Sequence, residues 1–386
     1  MSILAALQAK VDAVDSDTSM SEILSLMYTV KDNPYKSVYD SAGVMPLDSA
    51  SIGSIRYADN RNAMYMLVGV DSGWKLIDSD ASTAAVPSTP FQSAGSSRAY
   101  IANGVKNGSY SATVEKYLFA ASANATDVSG LTLNWAGSAV GGSRSTTDGY
   151  AAGAYTTPGA RVKTIDKFPF ASEDAVSDQG DVLSEKNFLQ SMPIVSTTHG
   201  YFIGGFPSNN QIQKFAFAST GDTTDTGDLI NSHQFGMGTN SAEYGYSLQD
   251  NQNQRWPFAS DGNAVDVGDT SPTTSNGIER GTSFQNTTNG YYVAGRDPVS
   301  TPTLFTHIQK FPFASGTVNM TDTTYDIVNV MKIDQMSASS STHGYIAGGQ
   351  PSDTDEIERY TFASEANMAD VGDLTGYRSL GASSYV

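Results

Sequence analysis

Aromatic residues alternate with other residues in six short segments of the chain, and a period of two is that of a β-strand. Each segment reads basic residue, aromatic residue, any residue, phenylalanine, alanine. The six segments are Lys116–Ala120, Lys167–Ala171, Lys214–Ala218, Arg255–Ala259, Lys310–Ala314 and Arg359–Ala363. Successive segments lie 41 to 55 residues apart. The pattern therefore predicts an internal repeat of about fifty residues.

Each repeat carries signals for four strands. Before four of the segments, a residue pair ending in glycine leads into a tyrosine-rich strand; the pairs are Asp148-Gly149, His199-Gly200, Asn289-Gly290 and His343-Gly344. Asn-Gly and Asp-Gly pairs favour type I′ hairpins, so a first strand is expected before each pair. The basic-aromatic segment gives a third strand, and a polar turn leads to a fourth strand around Asp-x-Gly-Asp. Such a unit fits a four-stranded blade of an all-β propeller. We expect alternate aromatic residues such as Phe215 and Phe217 to fill the space between blades.

The number of blades follows from where the repeats begin and end. Residues 379–385 repeat the first-strand pattern of residues 92–97, but the other three strands occur in six copies. We expect the strand near residue 385 to pair with the first repeat and remove the open edges. This favours six blades. A second interpretation, in which residues 52–77 complete a seventh blade, stays open.

The chain before the repeats divides into shorter regions. Apolar residues at helical spacing, and a capping box at Ser19 and Glu22, predict two helices before residue 33. Residues 52–57, 63–68 and 73–77 predict a three-stranded meander. The predicted organisation is a helical attachment segment at 1–33, a β-meander module at 34–80, a linker at 81–90 and the propeller at 91–386.

Composition limits the chemistry of the chain. Its net charge is −18, charged residues make up 16% of it, and it has no cysteine. Disulfides, thiolate zinc sites and a cysteine nucleophile are therefore excluded. The acidic balance argues against nucleic acid as a partner. No apolar run is long enough to predict membrane insertion, and no secretory signal is recognised.

Candidate site residues have ordinary structural explanations. His199 and His343 occupy the repeat position of Asp148 and Asn289, which is typical of a turn residue. His233 and His307 have no companions at metal-ligand spacing.

The acidic motif and the basic residues suggest no site either. Asp-x-Gly-Asp occurs four times, beginning at Asp178, Asp225, Asp266 and Asp370. Calcium binding stays open, but turn capping by the aspartates is favoured. The basic residue of each repeat precedes an aspartate by eleven positions in five of six repeats, which predicts a repeated ion pair. We assign no catalytic, cofactor-binding or metal residue, and we expect no enzyme activity and no cofactor; the ligand-binding residues are unknown.

The glycine pairs Gly204-Gly205 and Gly348-Gly349, together with the aromatic third strands, resemble kelch-type β-propellers over residues 91–386. The chain departs from the kelch pattern at Ala152-Gly153, which keeps one glycine, and its fourth strand lacks the usual tryptophan. The resemblance implies the propeller architecture.

A second resemblance concerns biological setting. The segment Leu4–Val11, the module from Gly53 to Ile77 and the repeated Phe-Ala-Ser with Asp-Val-Gly-Asp are similar to structural proteins of tailed phages, particularly marine phages that infect cyanobacteria. The resemblance implies a multi-copy or homo-oligomeric virion protein, such as a tail fibre, tail-associated or capsid-associated protein, assembled in the host cytoplasm. Its N-terminal helices would dock to other virion proteins, and its propeller would face a host-surface glycan, a receptor or a neighbouring protein. A free or cell-surface glycan-binding propeller is the first alternative, and a glycan-cleaving propeller enzyme is the second.

Overall fold

The structure is a computed structural model that describes two parts of the chain. In the first part it describes residues 55–58, 63–69 and 73–79. In the second it describes residues 95–386 except 157–159, 186–187, 189–191, 208, 234–236, 250, 271–277, 298–303, 314–318, 329–332 and 351–353. Contacts divide the chain into two compact units, Met1–Ser88 and Thr89–Val386, and each is described by itself. The predicted helices and the predicted linker lie outside the described residues.

The first unit contains a three-stranded antiparallel sheet. Its strands are Ile55–Ala58, Ala63–Gly69 and Gly73–Ser79, and they pair in chain order. Only a few residues separate neighbouring strands, so strands adjacent in sequence become adjacent in the sheet. The predicted meander is confirmed.

The second unit contains six antiparallel sheets of the repeat among its described residues, which we call repeat sheets 1 to 6. From first to fourth strand, sheet 1 has Ala382–Tyr385, Arg98–Ala102, Thr113–Leu118 and Thr126–Thr132; sheet 2 has Gly141–Arg144, Asp148–Thr156, Arg161–Pro169 and Ser177–Asp181; sheet 3 has Ile194–Val195, His199–Ile203, Asn209–Ala216 and Thr224–His233; sheet 4 has Met237–Asn240, Tyr244–Gln249, Gln252–Pro257 and Val265–Asp269; sheet 5 has Thr282–Gln285, Asn289–Arg296, Leu304–Pro312 and Thr321–Asp326; and sheet 6 has Met336–Ser339, His343–Ala347, Glu356–Thr361 and Ala369–Asp373. Sheet 2 has an extra strand, Gly137–Ser138, beside its second strand. The predicted four-strand order is confirmed.

Repeat sheet 1 is assembled from distant parts of the chain. Its first strand pairs with its second strand from Ala382 opposite Ala102 to Tyr385 opposite Ala99. Nearby, Arg378–Ser379 pairs with Val105–Lys106, which pairs in turn with Ser109–Tyr110. The predicted pairing of the strand near residue 385 with the first repeat is confirmed.

Aromatic stacking joins each repeat sheet to the next. A tyrosine of each second strand stacks on the final phenylalanine of the next sheet's aromatic segment, with ring centroids 4.7 to 5.6 Å apart. The six pairs are Tyr100 with Phe170, Tyr150 with Phe217, Tyr201 with Phe258, Tyr246 with Phe313, Tyr291 with Phe362, and Tyr345 with Phe119. The last pair returns from sheet 6 to sheet 1. Each such pair contributes about 0.5–1.5 kcal/mol beyond its buried area. Phe215 also contacts Tyr150, so the predicted role of alternate aromatic residues is confirmed.

The first strands of the repeat sheets contact one another, and these contacts also return from sheet 6 through sheet 1 to sheet 2. Buried polar side chains join them. The Val195 amide donates to Asn240 Oδ1 at 3.2 Å, and the Asn240 amide donates to Gln285 Oε1 at 2.8 Å. The Gln285 amide donates to Ser339 Oγ at 2.9 Å. The described residues therefore form an all-β, propeller-like arrangement of four-stranded sheets. No helix long and apolar enough to cross a membrane occurs among them.

Candidate functional site

The two ends of the repeat sheets differ in the length of their connections. At one end, which we call the constant end, three residues join the first and second strands of repeat sheets 2 to 6; these connections are 145–147, 196–198, 241–243, 286–288 and 340–342. At the other end, the variable end, the second and third strands are joined by 157–160, 204–208, 250–251, 297–303 and 348–355. Binding residues concentrate on variable loops held by a rigid scaffold. The variable end is therefore the candidate binding surface.

A side-chain cap explains the uniformity of the constant end. Ser145 Oγ accepts hydrogen bonds from the amides of Thr147 and Asp148 at 3.2 and 3.0 Å. Ser196, Ser241, Asn286 and Ser340 make the corresponding pair of bonds in the other four connections. The predicted type I′ hairpins are wrong, because the turn lies before the residue pair and glycines such as Gly149 are not in the left-handed region. Gly149 is instead needed because it packs against the Phe168 ring: a Cβ at this position would lie 2.3 Å from Phe168 Cζ.

The two repeat histidines lie in these connections as turn residues. Nδ1 of His199 is 2.8 Å from the Thr198 hydroxyl, and Nδ1 of His343 is 2.7 Å from the Thr342 hydroxyl. Burial, together with a neighbouring basic residue, lowers the pKa of both histidines. His307 lies elsewhere, with Nδ1 3.6 and 3.5 Å from carboxylate oxygens of two aspartates in the neighbouring strand. Within the described part of the chain, no three histidine or acidic residues are grouped so that they could hold a metal ion.

The predicted ion pairs within each repeat are wrong. The aspartate that follows the basic residue by eleven positions lies opposite the residue that precedes the basic residue, as Asp178 lies opposite Asp166 in the neighbouring strand. Successive residues of a strand point to opposite faces of the sheet, so the aspartate and the basic residue point to opposite faces. In three repeats the lysine instead pairs with an acid in the polar turn of the next sheet. These pairs are Lys116 with Glu173, Lys214 with Asp261, and Lys310 with Glu365. In the sequence, these pairs between neighbouring sheets are marked by an acidic residue directly after Phe-Ala-Ser in alternate repeats.

The first of these pairs belongs to a small charged cluster. Arg98 Nη1 lies 3.2 Å from Glu173 Oε1, and the Tyr100 hydroxyl donates to the same oxygen at 2.5 Å. Burial alone would raise the pKa of Glu173, but hydrogen bonds from Lys116 and Tyr100 bring it below its usual value. Glu173 is therefore ionised in the folded protein at neutral pH, and it joins sheet 1 to sheet 2.

The Asp-x-Gly-Asp motifs cap a bend of the fourth strand. The first aspartate accepts a bond from the glycine amide two residues on, at 2.8 Å for Asp178 and 3.1 Å for Asp225. Asp266 and Asp370 do the same. The favoured prediction of turn capping is confirmed. The second aspartate of the motif joins two sheets through its backbone. The carbonyl oxygen of Asp181 accepts a hydrogen bond from the Thr223 amide of the next sheet at 2.8 Å.

A buried polar position in the third strand was missed by the sequence analysis. The residue before each basic residue is an acid or a glutamine and is buried in all six repeats: Glu115, Asp166, Gln213, Gln254, Gln309 and Glu358. Five of these side chains, those of Glu115, Asp166, Gln213, Gln254 and Glu358, accept a hydrogen bond from a backbone amide in the chain of the preceding sheet. Gln213 Oε1 accepts from Leu183 at 3.0 Å, and Glu358 Oε2 accepts from Val328 at 2.7 Å. The sequence feature that could have identified this buried position is that only Asp, Glu and Gln occupy it in the six repeats.

The variable end carries most of the exposed apolar side chains. Of seven large exposed hydrophobic residues in the described part of the chain, five lie at this end: Tyr155, Leu183, Phe206, Ile230 and Val328. The Arg161 guanidinium lies over the Phe206 ring, 4.8 Å from its centroid. Among the described residues, large exposed apolar side chains are therefore more numerous at the variable end than at the constant end.

At the variable end, where the first strands begin, is a small pocket that is open to solvent and has room for about one water molecule. Residues directly before four first strands line this axial pocket, including Arg280, Asp334 and Gln335. Arg280 and Asp334 form a two-pronged ion pair, with Nε 2.7 Å from Oδ1 and Nη2 on Oδ2. Burial raises the pKa of Asp334 although the Arg280 charge opposes this.

Comparisons with known proteins assign no family. No family model matches the sequence, and a search of curated proteins finds no match. The resemblances to kelch-type propellers and to phage structural proteins therefore stay predictions from the motifs.

Proposed function

We propose that Thr89–Val386 is a closed six-bladed β-propeller. The six tyrosine–phenylalanine stacks support this, because they lead from each repeat sheet to the next and back to the first. The strands Ile55–Ala58, Ala63–Gly69 and Gly73–Ser79 form a sheet of their own in the other compact unit. Six blades therefore account for all the repeat sheets without a seventh.

The proposed function is that of a non-enzymatic structural protein in the virion of a tailed phage. Residues 1–33 would dock to other virion proteins, and the propeller would present its variable end outward to a host-surface glycan or receptor. The observation that carries the presenting role is the contrast between uniform three-residue connections at one end and diverse connections with exposed apolar side chains at the other. The virion setting rests on the motif resemblance.

Proteomics of purified phage particles tests the virion role. The expected result is that the chain is present in particles in many copies per genome. Absence from particles, combined with glycan binding by the isolated chain, would favour the free glycan-binding propeller. Release of sugar products from host polysaccharide would favour the glycan-cleaving enzyme.

Deletion of residues 1–33 tests the docking role. The shortened chain should keep the unfolding transition of the propeller but should no longer enter particles. Normal incorporation of this variant would place docking in another region. A chain lacking only residues 81–86 of the predicted linker is a control that shortens the sequence but keeps the attachment segment.

A further inference from the structure

The hairpin Val105–Tyr110, which we call the sheet-1 hairpin, holds the chain just before the first strand of sheet 1. Its strand Val105–Lys106 pairs on one side with Ser109–Tyr110 and on the other with Arg378–Ser379. Its tip is Asn107-Gly108, where φ is 49° and 76°. Both residues are therefore in the left-handed region, as a type I′ turn requires.

The tip also contacts the chain that the hairpin holds. The Asn107 amide donates a hydrogen bond to the Tyr377 carbonyl at 3.0 Å. The Asn107 side chain lies against Gly376, where a Cβ would be 2.7 Å from Asn107 Oδ1. Beside the tip, Lys106 Nζ donates to the Thr375 hydroxyl at 2.5 Å. The conformation of the tip therefore determines how the hairpin contacts residues 375–379.

An Asn-Gly pair can modify itself in water. The glycine amide nitrogen attacks the asparagine Cγ; a bond forms between these two atoms, the Cγ–Nδ2 bond breaks, and the amide proton leaves with Nδ2 as ammonia. Water then opens the five-membered ring at either of its two carbonyls, which gives aspartate or an isoaspartate whose main chain is one carbon longer. The attack needs an amide that is free of hydrogen bonds, and glycine puts no side chain in the way.

Asn107-Gly108 meets the conditions for this reaction. Both residues are exposed to solvent, which supplies the water. A Cβ on Gly108 would meet no atom within 4 Å, so the turn has open space around it. Within the described part of the chain, the Gly108 amide donates to no backbone carbonyl. The attacking nitrogen is therefore accessible in the folded protein.

Two other Asn-Gly pairs among the described residues do not meet these conditions. Asn103 is fully buried, and the Gly104 amide donates to the Gly137 carbonyl at 2.8 Å. In the pair Asn289-Gly290, the glycine is buried in a strand that has a paired strand on each side. Reaction at either pair requires local opening of a sheet, and its rate is lowered by the small population of the open state.

We propose that Asn107 is a site of spontaneous modification, and that its isoaspartate form loosens the sheet-1 hairpin. The additional main-chain carbon does not fit a two-residue type I′ turn. The amide of residue 107 then loses the Tyr377 carbonyl, and Arg378–Ser379 loses support on one side. This inference concerns the ageing of the fold and is independent of the proposed binding role of the variable end.

Peptide mass spectrometry of the purified full-length chain, aged at mildly alkaline pH, tests the site. Trypsin separates the first two asparagines, into Ala99–Lys106 and Asn107–Lys116; the uncut peptide Ala99–Lys116 is scored too, because isoaspartate beside Lys106 slows cleavage. Conversion of an amide to a carboxyl group adds about one mass unit. In the folded chain Asn107 should react at least about tenfold faster than Asn103 and Asn289, because only those two require local opening. In urea all three should react at similar rates.

Hydrogen–deuterium exchange tests the loosening of the hairpin. After ageing, the amides of residues 375–379 in wild type should exchange about tenfold faster or more, because their partner has moved. Asn107→Gly is the matched control, since a Gly-Gly pair also suits a type I′ turn and has no side chain to react. Exchange in that variant should not change with ageing.

Each half of the proposal has a result that would overturn it. If Asn107 in the folded chain reacts no faster than Asn103 and Asn289, the tip is not a modification site. If most Asn107 has become isoaspartate and exchange at residues 375–379 is unchanged, the tip does not hold that segment. An unaged sample digested in parallel corrects for reaction during digestion.

Discussion

Replacement of Arg378 by methionine tests how firmly the strand Ala382–Tyr385 is held to the first repeat. Arg378 Nε lies 3.0 Å from Glu115 Oε1, and both side chains are fully buried. The guanidinium also donates to the carbonyls of Ile101 and Thr113 at 3.1 and 3.2 Å. Burial lowers the pKa of Arg378, and the Glu115 charge opposes that shift. Arg378→Met would leave the buried Glu115 carboxylate with the more distant Lys106, whose Nζ lies 3.8 Å from Oε1, as its remaining partner. Loss of one member of a buried ion pair costs about 3–5 kcal/mol in the free energy of unfolding.

The assay is urea unfolding of the full-length chain at pH 7, followed by tryptophan fluorescence, with melting temperature as a second measurement. For a unit of this size the loss corresponds to a fall of roughly 5–15 °C in melting temperature. Lys163→Met is the control, because Lys163 pairs with Asp181 at 3.2 Å while both side chains remain partly exposed. That variant should lose less than about 1 kcal/mol.

A second substitution separates the unpaired charge from lost packing. Glutamine occupies the position of Glu115 in repeat sheets 3, 4 and 5. Glu115→Gln keeps an oxygen that can accept the Thr375 amide, which now donates to Glu115 Oε2 at 2.7 Å. Added to Arg378→Met, it should recover more than half of the lost stability. The reasoning is refuted if Arg378→Met unfolds within about 1 kcal/mol of wild type, or if Glu115→Gln recovers nothing.

Three further predictions concern the constant end and the acidic strands. Gly149→Ala would put a methyl group against the Phe168 ring and should lower the free energy of unfolding by about 1–3 kcal/mol in urea titrations. The depressed pKa of Glu173 stabilises the fold above the unfolded pKa of about 4.3, and this contribution is lost as pH falls through the lower folded pKa. Glu173→Gln should therefore be less stable than wild type at pH 7, and the difference should shrink below pH 4. Because Asp178 and its counterparts cap their own strands, a calcium chelator should leave the melting temperature unchanged.

Each of these predictions has a control or a contrary result. A Cβ on Gly221 would meet no atom within 4 Å, so Gly221→Ala should be nearly neutral; an equal loss would mean that glycine flexibility matters more than the ring contact. Glu243 is exposed, so Glu243→Gln should show little of the pH effect, and a stability difference for Glu173→Gln that persists at pH 3 would contradict the pKa argument. A fall in melting temperature with chelator, reversed by calcium, would show that the acidic strands bind the ion.

The sequence predicted strand order well because each strand has a local signal. Alternating aromatic residues mark the third strand, and glycines in the left-handed region, such as Gly204 and Gly348, end the second. Pairing between the strand near residue 385 and the first repeat was also predictable, because a copy of the first-strand pattern was left over.

Side-chain partners were harder to predict because they lie in the neighbouring sheet. Lys116 was expected to pair within its own repeat, yet its partner Glu173 belongs to the next one. The turn that precedes Gly149 was misplaced by two residues, because a serine cap replaces the positive φ angles that a type I′ hairpin requires. The axial pocket has no sequence signal, since Arg280 belongs to the fifth repeat and Asp334 and Gln335 to the sixth, and only the folded chain brings them together.

Assembly of sheet 1 from distant segments has a consequence for how the protein is made. Ser97 and Val386, which lie 289 positions apart in sequence, are joined by hydrogen bonds at the edge of that sheet. On the ribosome, the second, third and fourth strands of sheet 1 would be made before their first strand. That first strand would become available only after the other five sheets had been translated. Contacts at such long separation slow folding and leave strand edges exposed meanwhile. A product cut short before residue 382 would keep that edge open, so early termination should yield chains that aggregate or are degraded.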